Sequence, residues 1–186
     1  MSDYFVVLSN LSSIPCIIYY QYQKKYYYSL QILLTSFFSF MHHLNTSGVY
    51  SINDNGLFDF LDGLYSYWSI FIFSLYLFLS NHNELIIERS IVLTSLIAFV
   101  YMNLSSIILL PIIVFIILFI TGLHHNNINK LSLYNKYLYI VILLCCIDIG
   151  CFFAAVQTNY NYFHSAHHLV SFNIPIFIDR YILAIN

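Results

Sequence analysis

The sequence predicts an all-α membrane protein, a bundle of seven transmembrane helices, and three observations predict it. Of the 186 residues, 60% are hydrophobic and only 8% are charged. A soluble domain of this size cannot bury so much apolar surface, because a small volume carries too much surface for its core. The apolar residues also gather into runs that approach the length a helix needs to cross a bilayer, about 20 residues. Finally, the connections between runs are short and polar, with no soluble domain inserted and no internal repeat.

Taken in order, the spans fall at roughly 4–21, 27–44, 58–80, 86–102, 105–123, 137–157 and 161–183, and make one domain over residues 1–186. The first lies in "MSDYFVVLSNLSSIPCIIYY", which lacks the positive n-region and the A-x-A-like site of a removable signal, and so reads as a retained helix. The connection "QYQKK" leads to the second span, and "NTSGVYSINDNG" leads to the third. The fourth follows "SNHNE" and carries Glu88 and Arg89 near its start, which makes it the least apolar of the set. After the fifth, "HHNNINKLSLYN" leads to the sixth, and "NYFHSAHHLVSF" opens the seventh.

Lys and Arg accumulate on the cytoplasmic side of membrane proteins. With seven spans, Lys24, Lys25, Arg89, Lys130, Lys136 and Arg180 all fall on one side. That side is the cytoplasmic one, so the N-terminus lies outside or in a lumen and the C-terminus in the cytoplasm. Cys16, Cys145, Cys146 and Cys151 sit in apolar runs at spacings that suit neither a disulfide framework nor a zinc-binding CxxC, and read as small core residues. The net charge of −2, with no basic patch, argues against a nucleic-acid partner.

This topology brings the chemistry-bearing residues to one membrane level. The second span ends at its outer side in "SFFSFMHHLN", with His42 and His43. The third begins there with "LFDFLDGLYSYW", carrying Asp59 and Asp62, and the seventh begins there with His164, His167 and His168. Residues four apart share a helix face, so His164 and His168 point together, as two ligands to one metal require, and Ser39 lies one turn from His43. His167 points about 60° away from His164 and is either a neighbour or a bystander. Three imidazoles and a water make a catalytic zinc site, and a nearby carboxylate can take the water's proton or orient a histidine. The plain alternative is a set of solvated residues at the edges of loops. Asp148, in mid-span of the sixth helix, reads as a hydrogen-bonding group between helices, since a charge there is costly.

At these residues the chain resembles the transmembrane-protein-8 (myomaker) family, part of the CREST superfamily that also holds the alkaline ceramidases and the progestin–adipoQ receptors. The likeness runs through most of the chain. "LSNLSSIP" is similar to the family's first helix and "KKYYYSLQILLTSFFSFMHH" to its second. "DFLDGLYSYW" resembles the family stretch in which an Asp precedes a Trp by nine positions, as Asp59 precedes Trp68, and "FHSAHH" resembles its entry to the seventh helix. The resemblance implies zinc held by His43, His164 and His168, with Asp59 handling the water and Ser39 supporting the site or the oxyanion. His43 is preferred to His42 because it keeps the four-residue spacing from Ser39. The chain departs from the family in having His42 where a Tyr is usual, "NT" in place of a Cys-acidic pair, and His167 in place of a Trp.

Two functions follow as expectations. The first is a zinc-dependent hydrolase of an ester or amide bond in a membrane lipid, phospholipase- or ceramidase-like, working in a multi-pass membrane protein. The second is a non-enzymatic protein of membrane remodelling, fusion or reception in which zinc only pins helices. A bis-histidine haem is a third and weaker reading, because all the histidines sit at one end and leave no second layer.

Overall fold

The computed structural model describes residues 3–48, 56–78, 135–158 and 160–185. The expected fourth and fifth spans, 86–102 and 105–123, lie outside the described residues. Among the described residues every regular element is helical, as the sequence predicts. In chain order these are α1 (Asp3–Ser9), a 3-10 turn (Asn10–Ser13), α2 (Ile14–Tyr22), α3 (Tyr26–Thr46), α4 (Leu57–Phe78), α5 (Lys136–Gln157), α6 (Tyr160–Ser171) and α7 (Ile174–Ile185). Of the described helices, α5 alone is both long and apolar enough to cross a membrane, and only 11% of its apolar stretch is buried in the protein. That outward apolar face separates it from the core helix of a soluble domain.

Helices α3, α4 and α5 match the expected second, third and sixth spans to within a few residues. The first and seventh spans, expected as continuous helices, are instead broken, and proline accounts for both breaks. Pro15 stands in the first turn of α2 and has no N–H, so the chain cannot run on from α1 in α-helical register. The Ile14 N–H bonds back to the Leu11 carbonyl, a tighter 3-10 turn. Side chains take up the freed backbone groups. Ser9 Oγ donates to the Val6 carbonyl at 2.7 Å, Asn10 Nδ2 to the same carbonyl at 3.2 Å, and Ser13 Oγ to the Asn10 carbonyl at 2.8 Å. In the same way Pro175 follows a turn in which the Asn173 N–H reaches only the Val170 carbonyl, at 3.0 Å.

The turn from α2 to α3 is set by Lys24, which takes the left-handed conformation (φ 58°). The Lys25 N–H bonds to the Tyr20 carbonyl and the Lys24 N–H to the Gln21 carbonyl, the paired closure of a Schellman motif. This turn delivers Lys25 to Asp179 of α7, which is fully buried, at 2.6 Å. Tyr19 donates to Asp179 Oδ2 at 2.8 Å, and Tyr76 of α4 donates to Oδ1. A buried carboxylate is tolerable when its acceptors are filled in this way. Directly above, Tyr20, Tyr28, Phe73 and Tyr76 pack ring on ring, with Tyr28 and Tyr76 centroids 4.6 Å apart. This knot fixes α2, α3, α4 and α7 at one end of the protein. At the other end α1 packs on α6, α5 packs on α6, and the 3-10 turn touches both α3 and α6.

Candidate metal centre

His43 stands one turn before the end of α3. The helix stops just beyond it, at Gly48, whose positive φ of 71° suits glycine, and the Ser47 N–H closes on the His43 carbonyl. This places the His43 ring against α6, where His164 and His168 lie on one face. His43 and His168 are buried and His164 is partly so, and one donor atom from each lies within 4.8 Å of the others. Ring centroids are 4.8 Å apart for His43 and His164, 5.2 Å for His43 and His168, and 4.6 Å for His164 and His168. Tyr160 stacks on the His164 ring from the start of α6, at 4.7 Å.

The donor set fits a metal. The Nε2 atoms of His43 and His164 approach to 3.1 Å. Two nitrogens at about 2.0–2.1 Å from one tetrahedral ion stand roughly 3.3 Å apart, close to the spacing of this pair. Three imidazoles and no thiolate also suit zinc, copper, iron or nickel better than magnesium or calcium. The described structure thus holds a buried group of three histidines that could bind a metal ion.

Around the cluster the expected residues divide. Ser39, one turn before His43 and 3% exposed, sets its Oγ at 3.4 Å from His168 Nε2. The two acidic residues of α4 part company. Asp59, in the first turn, is turned outward with 80% of its side chain exposed, and comes no closer to a histidine than 3.6 Å from His42 Nδ1 among the contacts it makes. Asp59 thus faces His42, which adjoins His43, rather than standing among the three clustered imidazoles. Asp62, three residues later, has its carboxyl bonded by the hydroxyls of Ser39 on α3 and of Ser66 one turn further along its own helix. Its buried Oδ1 has no hydrogen-bond partner among the described residues. An unpartnered carboxyl oxygen one hydroxyl away from a histidine cluster is a group with capacity to accept a proton.

Among the described residues, the other two histidines, His42 and His167, lie outside the cluster. His42 faces Asp59, while His167 Nδ1 lies 2.8 Å from Asp148 Oδ1 across the α5–α6 contact, at an angle that forms no hydrogen bond. Asp148 thus faces His167 without the hydrogen bond that the sequence led one to expect. Sequence reasoning passed over Ser9, whose Oγ lies 2.9 Å from His168 Nδ1, and Ser12, whose Oγ donates to the His168 carbonyl at 3.1 Å. The available signal was the polar run "SNLSS" inside an apolar span.

Fold and site together define an all-helical protein with a buried three-histidine cluster between two of its helices. The chain matches the family model described as "Protein of unknown function (DUF3522)" over residues 1–169, a stretch that takes in all three histidines. It belongs to that family. No curated protein matches the chain.

Proposed function

We propose that this chain is a zinc-dependent hydrolase of membrane lipids, a multi-pass protein built as a seven-helix bundle with its site near the outer membrane level. The observation that carries the reading is the union of three converging imidazoles with a buried carboxyl whose Oδ1 is unpartnered. The resemblance to the transmembrane-protein-8 family supports it, as does the outward apolar face of α5. His43, His164 and His168 would hold the ion. Zinc bound by three imidazoles lowers the pKa of a water to about 7 and polarises a carbonyl.

The chain's own groups supply the rest. Asp62 accepts the proton of the attacking water at Oδ1 and returns it to the leaving oxygen or nitrogen as the ester or amide bond breaks. Ser39 holds the Asp62 carboxyl beside the cluster, a positioning role. Asp62, rather than Asp59, is thus the acid we assign to proton transfer. The substrate class is a lipid, because a site at the membrane level is open to a molecule that diffuses in the bilayer.

The test is fatty-acid release by purified, zinc-loaded protein from phospholipid and ceramide vesicles. Wild type and Asp59→Ala should both release fatty acid, and Asp62→Ala should lose about 100- to 10,000-fold, the usual worth of a general base. Absence of release from either lipid class by zinc-loaded wild type would overturn the hydrolase reading. It would favour the second one, a metal that pins α3 to α6 in a remodelling protein or receptor. The near-complete burial of His43 and His168, at 3% and 5% exposed, is the observation on that side.

A further inference from the structure

We infer that Ser9 is a positioning residue for the metal centre, fixing the tautomer and ring angle of His168 from outside the ligand set. The inference rests on the metal reading above and adds a residue from a third element, the C-terminal end of α1.

A serine hydroxyl has one hydrogen to donate. Ser9 Oγ spends it on the Val6 carbonyl one turn back, at 2.7 Å. Its 2.9 Å contact with His168 Nδ1 is then one in which oxygen accepts, and the hydrogen must sit on Nδ1. A neutral imidazole carries one N–H, so Nε2 keeps its lone pair. Nε2 is also the atom turned toward α3, where Ser39 Oγ lies 3.4 Å away. The chain of bonds from the Val6 carbonyl through Ser9 to Nδ1 therefore leaves the free lone pair on the side of His43 and His164. Metal-binding histidines are commonly held this way, by an acceptor on the ring nitrogen that does not coordinate.

The placement follows from the sequence. Pro15 stops the first span from running on as one α-helix, and the resulting 3-10 turn packs against both α3 and α6. Ser9, just before the turn, is 8% exposed and lies inside that contact. Ser12 adds a second tie, to the His168 carbonyl at 3.1 Å, so the same turn holds both backbone and ring of one ligand.

The test is cobalt(II) and zinc binding by purified full-length protein, read by competition with a chelator and by the visible spectrum of the cobalt form. Ser9→Ala should weaken metal binding about 10- to 100-fold, the usual cost of losing such a partner, and shift the cobalt spectrum. Ser9→Thr, which keeps a hydroxyl, should restore both. Ser13→Ala removes a buried hydroxyl of the same turn that, among the described residues, bonds to the Asn10 carbonyl alone, and should change neither. If Ser9→Ala binds cobalt with the affinity and spectrum of wild type, the inference is wrong while the metal reading stands. If Ser9→Ala and Ser13→Ala weaken binding equally, packing of the turn rather than the hydroxyl is responsible, and the inference again fails. If wild type binds neither metal, both readings fall together.

Discussion

Asp59 and Asp62 are three residues apart on α4 and meet opposite surroundings, one in solvent and the other against Ser39 and Ser66. The same division runs through the histidines. His43, His164 and His168 share a centre, whereas His42 and His167 each face a carboxylate. His167→Phe should therefore keep its full metal content, while His168→Phe should lose it, as measured by metal analysis of the purified proteins. Loss of metal from His167→Phe would place a fourth imidazole in the centre. The residue types and their helical spacing were legible from the sequence and paired His164 with His168, while the choice of His43 came from the family resemblance. The choice between two acids was not legible. Positions three apart point only about 60° from one another, and a register that coarse cannot say which one meets a neighbouring helix.

At the scale of elements, helix extents in α3, α4 and α5 could be read from hydropathy, because apolar length is what a bilayer selects. The breaks in the first and seventh spans could not, since a ruler of apolar length takes no account of the missing N–H groups at Pro15 and Pro175. Nor did the sequence point to Asp179, a buried acid on α7 that is satisfied by Tyr19 of α2, Lys25 of the turn before α3 and Tyr76 of α4. Breaking such a pair leaves a buried charge without a partner, which typically costs about 3–5 kcal/mol. Asp179→Ala should lower unfolding stability in detergent by that order. The double variant Lys25→Met with Asp179→Leu should recover most of the loss. If Asp179→Ala unfolds like wild type, the knot is not what holds α2, α3, α4 and α7 together.

For the whole molecule, the proposed seven-span topology would make the bilayer the device that brings distant residues together. His43 and His168 are joined in space, and the proposed topology assigns the ends of their helices to the same level. That reasoning anticipated the cluster without any coordinates. It also makes a topological prediction for sealed microsomes. A tag at the C-terminus should be cut by protease added outside, and a tag at the N-terminus should be protected. Equal cutting of both tags would contradict the orientation. The most direct test of the central claim is the zinc content of the protein purified from membranes without added metal. The account predicts close to one zinc per chain in wild type and its loss in His43→Ala, His164→Ala and His168→Ala. Equal zinc in wild type and in all three variants would contradict it.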